Sequence, residues 1–257
     1  MQEFTLMILA AGYGTRMGSL TKKIPKPLIK INNLTLLENT IFFFENIGCK
    51  KFIINTHYLS DKIKFFIKKK YPDKNIIINY EENILDTGGG IKNSIKFFEE
   101  KNILVTNSDT FWRSTNNNDV KRFVKDIYKI NHCSLLLVNK KNSFGLDKEE
   151  GDFILDKKLL KRWKKNNKLL FFSGLQIINT DVFKLTKRKK FSMNLIWDKL
   201  IKTRKLEGNL MKSEGEVLAL RRLINGIYKN DLSSLFISPH GVTWRSLYED
   251  ISEKTTI

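Results

Sequence analysis

Short apolar runs recur along the chain, and the stretches between them repeat their apolar positions at helical spacing. The first run, Phe4-Thr5-Leu6-Met7-Ile8-Leu9, lacks the strict polar alternation of a strand wetted on one face. Such a run suits a strand buried on both faces. Further strands are expected over residues 51–56, 75–80, 103–107, 134–138 and 169–179, with a short strand and turn over 29–34. Residues 35–47 place Leu36, Leu37, Ile41, Phe44 and Ile47 on one face of a helix that Gly48 ends. Helices are also expected over 61–70, 91–100 and 119–130, with a short one over 181–185 and another through Trp197 capped by Ser192. Strand and helix alternating in this way predicts an α/β fold, a Rossmann-like, mostly parallel sheet flanked by helices.

The first run ends in Ala10-Ala11-Gly12-Tyr13-Gly14-Thr15. Small residues and two glycines let the backbone turn sharply and approach a ligand closely. A loop of this kind aims several backbone N–H groups at one point, which suits a chain of phosphates. Arg16 and Lys26 follow as fixed positive charge, one a planar fork and the other a mobile point charge. A dinucleotide-binding loop would have Gly or Ala where Met17 stands, and a long helix beyond it. Pro25 and Pro27 cut that helix off. No Gly-Lys-Ser/Thr follows, so a Walker-type loop is excluded as well.

Composition narrows the picture without changing it. With 257 residues, 41% hydrophobic content and 18 Phe, the chain can bury a sizeable core as one domain with at most a modest appendage. No apolar stretch reaches membrane-spanning length, and residues 4–9 lack the flanks of a signal peptide, so no membrane insertion is expected. Cys49 and Cys133 have no metal-ligand spacing and suggest no disulfide scaffold, which fits a reducing cytoplasm. The net charge of +19 is spread along the chain, with denser runs at 68–70, 157–168 and 187–190. These read as solvated faces, and no aromatic-basic interleaving suggests a nucleic-acid partner. Anionic substrates benefit from such a field.

Leu9-Ala10-Ala11-Gly12-Tyr13-Gly14-Thr15-Arg16-Met17, followed by Pro25-Lys26-Pro27-Leu28, resembles the signature of the sugar-1-phosphate nucleotidyltransferases. The resemblance implies a glycosyltransferase-A-like nucleotidyltransferase fold over residues 1–207, with 208–257 an atypical C-terminal segment packed on the same domain. It makes Leu9, Ala10, Ala11, Gly12, Gly14 and Thr15 nucleotide-binding. The family also carries an acidic residue, a spacer and a Thr-Gly-Gly-Gly run against the nucleoside. That pattern is carried over to Glu82, Thr87 and Gly88, with the three glycines of 88–90 read as lying between strand and helix. The Leu85-Asp86-Thr87-Gly88-Gly89-Gly90 form looks like the N-acetylmuramate-1-phosphate uridylyltransferase branch.

Asp109 follows the strand over 103–107, on the edge where open α/β sheets bind ligands. A carboxylate there can hold Mg²⁺ while phosphates and water complete the octahedron. Asn107-Ser108-Asp109 resembles the family's Asn-Gly-Asp, with Ser for Gly. The sugar-phosphate pocket is carried over to Asn107, Asp152, Ser173 and Gly174, the last also a bulge signal within its strand. The family's closing Trp-x-Asp-Val-Gly-Thr is missing. Trp244 is followed by Arg245-Ser246-Leu247, and Asp198, Asp231, His240, Glu249 and Asp250 do not take its place, so the second metal ligand is unassigned.

The resemblance implies Mg²⁺-dependent nucleotidyl transfer from an NTP to a sugar 1-phosphate with release of pyrophosphate. UTP and N-acetylmuramate 1-phosphate are the leading pair. GTP with mannose 1-phosphate is the alternative, and a non-catalytic nucleotide-binding relative a further one. Arg16, Lys26 and Asp109 are the catalytic candidates, Arg16 for the departing pyrophosphate, Lys26 for the phosphoryl group under attack and Asp109 for the metal. A monomer or small homo-oligomer is expected, with no large second domain.

Overall fold

Strand β1 (Phe4–Leu9) lies inside a nine-stranded sheet. Leu6 and Ile8 enter one buried cluster and Met7 the other, because successive side chains of a strand point to opposite faces. Both faces are buried, so both sets of positions are mostly apolar, and the exception, Thr5, donates its hydroxyl to Glu100 Oε1 at 3.2 Å. The computed structural model describes residues 3–17, 20–31, 33–140, 143–144, 149–212 and 217–219. Asp231, His240, Trp244, Glu249 and Asp250, with most of the C-terminal segment, lie outside the described residues.

After β1 come α1 (Leu20–Lys23), the small hairpin β2 (Lys30–Ile31) and β3 (Leu34–Thr35), and α2 (Leu36–Glu45). Thr35 caps α2 in a reciprocal capping box with Glu38. Strand β4 (Cys49–Thr56), α3 (Ser60–Lys70), β5 (Ile76–Tyr80), α4 (Asp86–Ser94) and β6 (Asn102–Asn107) follow. Next are β7 (Thr110–Phe111), α5 (Asn117–Lys125), β8 (Cys133–Asn139) and β9 (Ser143–Phe144). The chain continues with β10 (Phe153–Asp156), β11 (Leu159–Arg162), β12 (Leu170–Asn179), α6 (Met193–Lys202), β13 (Leu206–Leu210) and β14 (Val217–Ala219). The main sheet has the order β10-β11-β13-β8-β12-β6-β1-β4-β5. Strands β6, β1, β4 and β5 are mutually parallel, as are β8 and β13, while β12 inserts antiparallel between β6 and β8. The expected mostly parallel α/β sheet is therefore present. Among the described residues, no helix is long and apolar enough to cross a membrane.

Three local expectations are corrected. The glycines of 88–90 lie within α4, which starts at Asp86 and gives way to a 3-10 turn at Ile95–Phe97 instead of running over 91–100. Glycine is a poor helix former, but a Cβ at Gly88 would stand 2.9 Å from the Phe191 carbonyl, and one at Gly89 would overlap that of Lys189. Close chain crossing demands glycine there. The helix over 119–130 becomes α5 plus a 3-10 turn at Ile127–Lys129. Within the lysine-rich run 157–168, β11 pairs antiparallel with β10 and β13. Its buried Leu160 supplies the apolar contact, while Lys161 and Arg162 pair outward with Asp156 (3.0 Å) and Asp198 (2.8 Å). Strand β13 runs through position 207, parallel to β8.

Candidate active site

In register, Leu9 of β1 lies opposite both Asn55 of β4 and Asn107 of β6. Three strand ends thus stand level at one sheet edge, and the loops that leave them enclose a cavity of about 360 Å³. Leu9, Ala10, Ala11, Gly12, Gly14, Thr15, Lys26, Thr87, Asn107 and Asp109 all line it. Tyr13, Asn55, Glu81, Ile84, Asp86 and Ser108 line it too, and sequence reasoning missed them as site residues.

The 10–17 loop is held from behind. Gly14 has φ +68°, and a Cβ there would meet Thr21 Cγ2 at 2.7 Å, so both backbone and packing require glycine. Its carbonyl accepts from Met17 N–H at 2.9 Å and from Thr21 Oγ1 at 3.0 Å. Gly12 differs: nothing described lies within 4 Å of a Cβ built on it. Ala10 N–H donates to Asn55 Oδ1 at 2.9 Å, and Asn55 Nδ2 donates to Glu81 Oε1 at 2.6 Å. Glu81 Oε2 accepts from Leu85 N–H at 3.0 Å. Asn55 and Glu81 are both buried, so this chain of bonds ties the loop, the end of β4 and the entry to α4 together. On the outer side, Tyr13 Oη bonds His57 Nε2 at 3.0 Å while His57 Nδ1 bonds the Glu81 carbonyl at 2.8 Å.

Pro25 and Pro27 end α1 as expected, and Lys26 sits in the 3-10 turn Lys26–Leu28 between them. That turn carries Lys26 Nζ across the cavity floor into an ion pair with Asp109 Oδ2. Ser108 N–H donates to Leu9 O at 3.2 Å, which brings Asp109 beside the glycine-rich loop despite the Ser-for-Gly exchange. The side chain of Arg16 lies outside the described residues.

Five expected site residues do not line the cavity. Glu82 is exposed, and its neighbour Glu81 takes the inward position. Gly88 is buried against Phe191. Asp152 Oδ2 accepts from Phe172 N–H at 3.1 Å and steadies the β10–β12 junction. Gly174, with φ +96°, does mark a bulge in β12, where the register shifts between Phe172 and Gln176. What approaches it is Thr110, whose Oγ1 donates to the Ser173 carbonyl at 3.1 Å. Ser173 and Gly174 therefore form a layer behind Asn107.

No group of three His, Cys, Asp or Glu among the described residues could cage a metal ion. A single carboxylate beside a phosphate loop still fits Mg²⁺, which takes one or two protein carboxylates and fills its shell from phosphates and water. Asp109 is the carboxylate in that position, paired here with Lys26.

A family model described as Nucleotidyl transferase matches residues 5–157. The chain is 26% identical over 202 residues to the N-acetylmuramate alpha-1-phosphate uridylyltransferase of Caulobacter vibrioides, covering 76% of this chain and 83% of that protein. It is 29% identical over 194 residues to the D-glycero-alpha-D-manno-heptose 1-phosphate guanylyltransferase of Campylobacter jejuni, covering 72% and 81%. A crystal structure of HddC from Yersinia pseudotuberculosis, complexed with GMP-PN, superposes with a TM-score of 0.67 at 25% identity, over 82% of this chain and 91% of that one.

Proposed function

The chain belongs to the nucleotidyl transferase family, and on that premise we propose that it transfers a uridylyl group from UTP to N-acetylmuramate 1-phosphate in the presence of Mg²⁺. The observation that carries a phosphate-transfer reading is the meeting of Lys26 and Asp109 on the floor of a cavity walled by the glycine-rich loop. The Asp86 to Gly90 run and the Caulobacter relative support the choice of substrates.

An acceptor phosphate oxygen attacks the α-phosphorus, a new P–O bond forms, and the bond to the bridging oxygen breaks as pyrophosphate leaves. No protein nucleophile is needed, only positioning and charge stabilisation. Backbone N–H groups of the 11–15 stretch hold the triphosphate, the Ala10 N–H being taken by Asn55 Oδ1. Lys26 exchanges Asp109 for the phosphoryl group under attack and stabilises the charge that builds there. Arg16, next after Thr15 in the loop, takes the departing pyrophosphate. Mg²⁺ held by Asp109 would supply Lewis-acid charge neutralisation.

A pyrophosphate-release screen over four NTPs and a panel of sugar 1-phosphates, with and without Mg²⁺, tests this. Asp109→Asn and Lys26→Ala should fold as the parent does and lose about 3–4 kcal/mol of transition-state stabilisation, roughly 10²–10³ in turnover. Near-parental release by either variant removes that residue from the mechanism. Tight NTP binding without release on any pair overturns the enzyme reading in favour of a nucleotide-binding regulator. The superposition on HddC with its GMP-PN favours a second reading, guanylyl transfer, and release with GTP alone would establish it.

A further inference from the structure

The corner between β4 and α3 meets the glycine-rich loop and the chain beyond it with three side chains. Tyr13, at the tip of that loop, lines the cavity and is 44% exposed. Its Oη lies 3.0 Å from His57 Nε2, and the two rings meet edge to face at 5.4 Å. Tyr58 Oη donates to the Lys22 carbonyl at 3.1 Å, and the Tyr58 ring lies tilted against Tyr13 at 5.5 Å. Lys62 Nζ donates to the Lys23 carbonyl. Lys22 and Lys23 end α1 and lead through Pro25 into Lys26. One corner thus holds both the loop tip and the run of chain that delivers Lys26 to the cavity.

The corner is itself fixed from behind. The Glu81 carbonyl, 2.8 Å from His57 Nδ1, can only accept, so Nδ1 carries the hydrogen. Nε2 of the neutral ring is then an acceptor, and the Tyr13 hydroxyl is the donor. The Tyr80 ring lies nearly parallel to the imidazole at 6.5 Å. Leu59 sits in the left-handed region with φ 51°, a conformation that a residue other than glycine keeps only where its surroundings hold it. Thr56 Oγ1 and Ser60 Oγ, buried and bonded at 2.8 Å, brace the chain on either side of it. The loop tip has no such brace of its own, since nothing described lies within 4 Å of a Cβ built on Gly12.

We infer that His57 and Tyr58 are positioning residues for the nucleotide, a role that rests on reading the loop as the triphosphate site. They latch the loop tip and the run into Lys26 at one spacing, so that the amides of 11–15 and the Lys26 ammonium meet the same triphosphate. The latch bonds lie on the exposed side, where water competes for each partner and a bond adds little to folding. Their effect is on affinity. When the binding-competent position of a loop is only fractionally populated, the apparent affinity falls by that fraction.

The test is a double-mutant cycle of Tyr13→Phe, which deletes only the hydroxyl, and His57→Phe, which keeps a ring. Calorimetric binding of the four NTPs with Mg²⁺ is read beside amide exchange of the chain without nucleotide. Each single variant should weaken the best-bound NTP roughly fivefold, and the double variant no more than the weaker-binding single, because one bond is lost in all three. Tyr58→Phe breaks a different bond, so its loss should multiply with that of Tyr13→Phe. Exchange should quicken over residues 11–24 and stay unchanged in β1, β4 and β6, with melting temperatures within about 2 °C of the parent. Equal NTP affinity in parent and single variants overturns the inference. Independent losses for Tyr13→Phe and His57→Phe do so too, as does a lower melting temperature with faster exchange through the sheet, which would make the corner merely structural. If the parent binds none of the four NTPs, the triphosphate reading fails, and exchange alone decides the latch, quickened exchange over 11–24 supporting it and unchanged exchange overturning it.

Discussion

Replacing Asn55 with Ala removes one residue that serves two elements of the site at once. Its Oδ1 accepts from Ala10 N–H at 2.9 Å, and its Nδ2 donates to the buried Glu81 carboxylate at 2.6 Å. A neutral hydrogen bond is worth about 0.5–1.5 kcal/mol and one to a charged group about 1.5–3, so the variant should lose about 2–4.5 kcal/mol. At about 2–4 °C per kcal/mol for a domain of this size, thermal melts should fall by roughly 4–18 °C. The functional loss should follow the same bonds, since they fix where the loop leaves β1 and hold Glu81, and Ala10 and Glu81 both line the cavity. Binding of NTP, measured by calorimetry at a temperature where the variant is folded, should weaken. Asn55→Asp is the sharper test. It keeps an acceptor for Ala10 N–H but sets a carboxylate against Glu81, so it should be less stable than Asn55→Ala. If Asn55→Ala melts within about 1 °C of the parent and binds NTP equally well, the loop does not depend on this side chain and the reasoning fails.

The other predictions concern packing and protons. A Cβ at Gly90 would stand 2.6 Å from Glu81 Oε1 and 2.7 Å from Asn55 Nδ2, so Gly90→Ala should destabilise by about 1–3 kcal/mol in urea unfolding. Its effect should be non-additive with Asn55→Ala, and strict additivity would show that the two do not share one network. Gly12→Ala should instead change stability by less than about 0.5 kcal/mol, because nothing described surrounds its Cβ, while raising the KM for NTP. Burial pushes the Cys49 thiol from near 9 up to about 12, and raises that of Cys133 as well. Above pH 9 the unfolded chain releases thiol protons that the folded protein keeps. Stability is therefore full below that pH and declines as pH rises toward 12, by up to about 1.4 kcal/mol per pH unit for each thiol. Urea midpoints between about pH 8 and 10.5 should show this slope, and Cys49→Ala should reduce it. An unchanged slope would mean that Cys49 ionises as freely in the fold as outside it.

The site was legible where its causes are local. Gly14 and the prolines around Lys26 act through their own backbone angles, so the turn of the glycine-rich loop and the end of α1 could be read from a few consecutive residues. The Lys26–Asp109 pair was visible only as two separate ends, because 83 positions divide them and the sheet alone brings them together. Asn55 carries no local mark. What identifies it is register, since it lies level with Leu9 and Asn107, and register depends on strand order. Glycine misled in an instructive way. A glycine away from positive φ reports that something comes close, without saying what. At Gly88 and Gly89 it is the 189–191 backbone, and at Gly90 it is Glu81 and Asn55. Gly174 combines both signals, a positive φ that marks the bulge and Thr110 packed where a Cβ would stand. Gly12 is different: its φ is not positive and no described atom lies within 4 Å, yet it faces the cavity beside Lys26 and Asp109. Neither backbone strain nor packing asks for glycine there; what its missing side chain leaves is open cavity, the space the proposed nucleotidyl transfer needs for phosphates.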